Sequence, residues 1–144
     1  MKLTTFSDYN LRVLMFLAVH RERLATIPEI AVAYGISENH LMKVVHRLAR
    51  AGTIESVRGK GGGIRLAGLP EAVRLGEVVR ASEGNAAIVE CLSDEAAVCC
   101  IAPVCHLAPI LVRAFEALYA ALNEYTLADL VRAPQGLQKI LVRR

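Results

Sequence analysis

Leu11, Leu14, Met15 and Ala18 fall at i, i+3, i+4 and i+7, the stripe of a helix laid by one face on a core. The first predicted helix starts near Ser7 or Asp8 and runs to about His20. Asp8 stands in its first turn, where a carboxylate meets the positive end of the helix dipole. Thr26 and Glu29 then stand three apart with Pro28 between them, a capping box with a proline where no internal hydrogen bond is lost. A second helix follows, through Tyr34 to Gly35, where glycine enters the left-handed turn cheaply. Ser37 caps a third, from Glu38 to about Ala51. It places Leu41, Val44, Val45 and Leu48 on one face and leaves Asn39, His40, Lys43, His46, Arg47 and Arg50 outside.

After Gly52 the period changes. Thr53 to Arg58 and Ile64 to Leu66 read as two strands around a Gly59-Lys60-Gly61-Gly62-Gly63 tip. Two helices across a glycine turn, then a basic hairpin, make a winged helix-turn-helix. Residues 68–72 form a connection, and Leu75 to about Ser82 a short helix stopped by Gly84-Asn85. Beyond Pro103, the residues Leu107, Leu111, Ala114, Leu118, Ala121 and Tyr125 follow a 4-3-4-3-4 spacing. That helix has one face for its own domain and one for a partner, and its alanines permit a close crossing. A last short helix starts over Thr126 to Val131, and the tail from Pro134 is uninformative. The expected fold is mainly α with a small β-hairpin wing. Its parts are a DNA-binding winged helix-turn-helix at 1–82, a cofactor loop at 83–106, and a long dimerisation helix with the C-terminal segment at 107–144.

Composition narrows the class. With 54% hydrophobic residues in 144, many alanines and no tryptophan, the chain suits closely packed helices. No apolar run is long enough to span a bilayer, and MKLTTFSDYN is no signal peptide, so the expected location is cytoplasmic. The net charge of +3 is uneven: residues 1–70 carry ten Lys and Arg against five Asp and Glu, residues 71–144 seven against nine. A basic N-terminal half invites double-stranded DNA. Ser37, Asn39, His40, Lys43 and Arg47 on the reading helix, with Arg58 and Lys60 at the wing tip, are the candidate contacts. A palindromic operator would demand a homodimer. The glycine tip lacks the spacing of a phosphate-binding loop. No Ser/His/Asp set, paired carboxylates or open metal motif suggests an enzyme.

All four cysteines, Cys91, Cys99, Cys100 and Cys105, fall within one short stretch. Disulfides conflict with a reducing compartment, and structural zinc usually asks for C-x2-C knuckles, which are absent here. Buried inert thiols and zinc with His106 remain competing uses. Seven residues separate Cys91 from Cys99 and five separate Cys99 from Cys105. Thiolates so spread suit a cluster of several irons better than one tetrahedral ion. A fourth ligand is left to find, since Cys100 and His106 each adjoin a better-spaced cysteine.

The LTTFSDYNLRVL opening, the VRGKGGGIRLA wing, the C-x7-C-x5-C loop and the YTLADLV ending together resemble the small winged-helix iron-sulfur repressors, the family of NsrR and IscR. The likeness covers nearly all of residues 1–142. FSDYNLR, the YGISENHLMK reading helix and YTLADL are more similar to the nitric-oxide-sensing branch than to the branch that regulates iron-sulfur assembly genes. The resemblance implies a repressor of nitric-oxide-detoxification genes, holding a 4Fe-4S rather than a 2Fe-2S cluster on Cys91, Cys99 and Cys105. It also implies that Asp8 of the other subunit completes the cluster. Cys100 is an extra thiol that stands as an alternative to Cys99. An IscR-like regulator, a zinc-stapled DNA-binding protein and an electron-transfer protein are the other readings.

Overall fold

The computed structural model describes residues 2–84, 92 and 99–142. Helix α1 spans Thr5–Val19, α2 Ile27–Tyr34, α3 Glu38–Arg50, α4 Leu75–Glu83, α5 Leu107–Leu122, α6 Leu127–Leu130 and α7 Pro134–Val142. Strands β1 (Ile54–Val57) and β2 (Gly63–Leu66) form an antiparallel hairpin in which Ile54 faces Leu66 and Val57 faces Gly63.

The helix-turn-helix is fixed by short-range chemistry. Thr26 Oγ1 accepts from Glu29 N while Glu29 reaches back to Thr26 N, closing the capping box that opens α2. Gly35 sits in the left-handed region, and Ile36 N donates to Ala31 O at 3.0 Å, turning the chain into α3. Ser37 Oγ then caps α3 by accepting from His40 N. Val13, Leu14, Phe16 and Leu17 of α1 are at most 2% exposed and pack with Ile30, Leu41, Val44 and Leu48 into one core. Each such side chain contributes about 1.5–3 kcal/mol by leaving water. The core is sealed beside the wing by Ala25, whose N–H and C=O pair with Ile64 at 3.0 and 2.8 Å.

Several boundaries differ from expectation. Helix α1 starts at Thr5 rather than near Ser7, because Thr4 Oγ1 accepts from Ser7 N at 3.1 Å and serves as the cap. Strand β1 is shorter than the expected Thr53–Arg58 run, β2 begins one residue early at Gly63, and residues 70–72 of the connection form a 3-10 turn. Helix α5 ends at Leu122, so Tyr125 lies beyond it. Tyr125 C=O instead accepts from Leu75 N at 3.1 Å, and Leu127 N donates to Val73 O at 2.9 Å, joining the start of α6 to the start of α4. The tail forms α7 and returns to the core, where Leu141 and the fully buried Leu127 of α6 join the α1 cluster. Among the described residues, no helix is long and apolar enough to cross a membrane.

Candidate DNA interface and cofactor segment

Helix α3 turns its four buried residues inward. At 100° per residue the opposite line passes through Asn39, Lys43, His46 and Arg50, with Met42 beside them; all five are exposed. Met42, 50% exposed, is an apolar group on an otherwise polar face. His46, Arg50 and Met42 were not among the contacts expected from sequence, although the same periodicity places them there. His40 and Arg47 lie on the flank nearer α1. The His40 ring stands 6.1 Å from that of Tyr9, and the Arg47 guanidinium lies 5.7 Å from the Phe6 ring while its Nη2 donates to Ala81 O. Arg47 therefore ties α3 to α1 and α4 in this structure. Ser37 is occupied as the cap of α3.

The wing presents Arg58 and Lys60 on a turn whose Gly59 and Gly61 have φ of 100° and 78°, a conformation other residues adopt at a cost. Behind the tip, Arg65 Nε donates to Glu55 at 2.6 Å across the register pair, so these two charges are paired with each other. Arg58 and Lys60 have no ion-pair partner among the described residues. Replacing either with alanine is expected to weaken binding to all DNA sequences alike. Each lost phosphate contact should reduce the slope of log affinity against log salt by about 0.9. A filter-binding salt titration on two unrelated duplexes checks this, and an effect confined to one sequence would contradict it.

Cys91 lies outside the described residues. Cys99 and Cys105 are half-buried free thiols and Cys100 is exposed. Between them the chain folds back through Ala102 N to Cys99 O at 3.0 Å and a 3-10 turn at Ala102–Val104. No group of three potential metal ligands gathers among the described residues. The donor set fits an iron-sulfur centre in kind, since thiolates are the ligands such clusters take. His106 sits at the start of α5 and is exposed. Asp8 remains on its own subunit's surface, where both carboxylate oxygens engage Arg12, at 3.0 Å to Nε and 2.9 Å to Nη2. The Arg12 guanidinium also lies 5.8 Å from the ring centre of Tyr34, whose hydroxyl burial pushes up to about 12.

Helix α5 has two apolar faces. Leu111, Phe115, Leu118 and Leu122 are half-buried, while Glu116, Tyr119 and Asn123 make the contacts to α4. Leu107, Ile110, Ala114, Ala117 and Ala121, spaced 3-4-3-4, are exposed. The free stripe is thus one step round from the expected Leu107–Leu111–Ala114–Leu118 line, because Leu111 and Leu118 are already half-buried within the chain. Ile101 and Val104, 55% and 74% exposed, carry apolar surface from the cysteine segment toward Leu107.

The profile of Rrf2, described as an iron-dependent transcriptional regulator, matches residues 3–133. The chain belongs to the Rrf2 family. It is 49% identical over 142 residues to the HTH-type transcriptional regulator NsrR of Bacillus subtilis, covering 98% of this chain and 97% of that one. Among solved structures it is similar to IscR of T. potens, with a TM-score of 0.72 and 26% identity over 92% of this chain and 87% of that one. It is also similar to CymR, the global cysteine regulator of B. subtilis, with a TM-score of 0.70 and 31% identity over 92% and 97%. This Rrf2 protein is a DNA-binding transcriptional regulator and not an enzyme, and its winged helix with a two-stranded hairpin is the fold expected from sequence.

Proposed function

We propose that this Rrf2 regulator is a cytoplasmic homodimeric repressor that binds a palindromic operator and senses nitric oxide through an iron-sulfur cluster, thereby controlling nitric-oxide-detoxification genes. The observation that carries this is the likeness to NsrR along nearly the whole chain, combined with the three spaced thiols Cys91, Cys99 and Cys105. Those thiols would hold the cluster, 4Fe-4S in preference to 2Fe-2S, with Asp8 of the partner subunit as fourth ligand. Exposure of Cys100 favours Cys99 as the second ligand. When bound, the cluster supplies iron that reacts with nitric oxide.

The chain's own residues supply the switch. Asp8 has two alternative partners, Arg12 on its own helix and the cluster of the other subunit. The Asp8–Arg12 pair is an i,i+4 contact with both side chains over 40% exposed, and such pairs are worth only about 0.3–0.5 kcal/mol. It opposes delivery of Asp8 weakly and receives Asp8 again when the iron is lost. The stripe on α5, with its small alanines, would form the dimer contact. Asn39, Lys43, His46 and Arg50 would enter the major groove, with Arg58 and Lys60 on the backbone beside it.

The test is anaerobic protein titrated with nitric oxide while its visible absorbance and its affinity for a selected palindrome are followed in the same samples. The two are expected to fall together. A cluster that reacts without change in DNA binding would favour the IscR-like or electron-transfer reading. A colourless, zinc-containing protein would exclude the cluster.

A further inference from the structure

Helix α4 lies between the reading head and the dimerisation helix, packing on both α1 and α5. Polar contacts to α5 are spread along it. Arg80 makes a two-pronged pair with Glu116, at 2.8 and 2.5 Å, and its guanidinium sits 4.3 Å from the Tyr119 ring. Asn123 Oδ1 accepts from Glu77 N at 3.0 Å, and Asn123 C=O accepts from Arg74 at 3.1 Å. The helices approach so closely that a Cβ on Gly76 would stand 2.3 Å from Tyr119 O. Helices α4 and α5 therefore form one stiff arm.

Among the described residues, the arm makes its polar contact with α1 at one point. Glu83, the last residue of α4, offers Oε1 to Thr4 N at 2.8 Å, to Thr4 Oγ1 at 3.1 Å and to the Ser7 hydroxyl. Ser82 Oγ donates to Ser7 Oγ at 2.7 Å, and both serines are buried. Burial raises the Glu83 carboxyl's pKa, but the bonds from Ser7 and Thr4 outweigh it and leave the group below its ordinary value, so it is held as the anion. Apolar packing is non-directional and tolerates rotation of one helix on another; three donors converging on one oxygen do not.

We propose that Glu83 is a positioning residue whose carboxylate fixes the angle between α1, which carries the reading head, and the α4–α5 arm, and so sets the half-site spacing that the dimer accepts. This rests on the reading of the protein as a dimeric operator binder. A one-base-pair change of spacing turns a half-site by roughly 34°, which a fixed arm cannot follow and a loosened one can. The anion would then do more than cap α1.

The experiment uses the purified full-length protein under anaerobic conditions and a palindrome selected from random DNA. Its spacer is then lengthened or shortened by one base pair. The wild type is expected to lose about tenfold in affinity or more on either change. Glu83→Ala should shrink that loss to about threefold or less while binding a single half-site as the wild type does. Glu83→Gln, which keeps an acceptor oxygen, should restore most of the discrimination. If Glu83→Ala is too unstable to assay, Ser7→Ala removes one donor and should show the same relaxation in smaller degree. Undiminished spacing discrimination in a folded Glu83→Ala or Ser7→Ala protein would leave Glu83 a helix cap and overturn the proposal. A wild type that selects no palindrome would overturn the operator reading itself, and the positioning role with it.

Discussion

Cys105→Ala is expected to abolish the visible absorbance of the anaerobic protein and to lower its operator affinity about 100-fold, a bias of about 2.7 kcal/mol between two states. The size follows from what the cluster has to do. In the proposed reading Cys91, Cys99 and Cys105 would tie down the segment between α4 and α5, and Asp8 of the other subunit would tie α1 to it, so loss of these ties would free the spacing of two reading helices. The loss should not come from unfolding, because Cys105 is only half-buried and lies outside the core cluster around α1. Far-ultraviolet circular dichroism and the melting of the winged helix should therefore stay near wild type. Cys100→Ala is the control, since that thiol is exposed and should be dispensable for colour and for binding. A coloured Cys105→Ala protein would refute the ligand assignment, and a colourless one with full operator affinity would uncouple the cluster from DNA.

The helix-turn-helix was legible because its determinants are local. The Thr26–Glu29 box, Gly35 and Ser37 each act within four residues, so spacing alone predicts them. What escaped depends on distant partners. The cap of α1 is itself local, Thr4 to Ser7, but the bond that Thr4 N–H makes to Glu83, 79 residues away, has no local sign. The tail sets Leu137, Ile140 and Leu141 at helical spacing, but its docking site is distant: Leu141 joins the α1 core, and Gln138 Nε2 donates to Val19 O at 3.3 Å. The candidate contacts divide in the same way. Periodicity identifies the outside of α3 but not its neighbours, so nothing in the sequence separates Arg47, drawn to Ala81 O and the Phe6 ring, from Arg50, which stays on the exposed face.

Ile110→Glu is expected to convert the dimer to a monomer in sedimentation and to reduce affinity for the palindrome by a factor of about 100 or more. Ile110 is 60% exposed in the single chain and sits within the Leu107–Ile110–Ala114–Ala117–Ala121 stripe. A carboxylate there costs the isolated chain little, because it faces water. In a dimer closed over the alanines, it would be buried against its symmetry mate without a cation, and two like charges brought out of water at a twofold axis cost several kcal/mol. The monomer keeps its reading helix and wing, so its affinity for one half-site should match that of one wild-type reading head. What disappears is the gain from linking two heads, commonly 10²–10⁴-fold. Leu118→Glu provides the contrast. That residue is half-buried within the single chain, so its replacement should lower the melting temperature of the subunit, whereas Ile110→Glu should leave subunit folding intact. A dimeric Ile110→Glu protein would move the interface off this stripe.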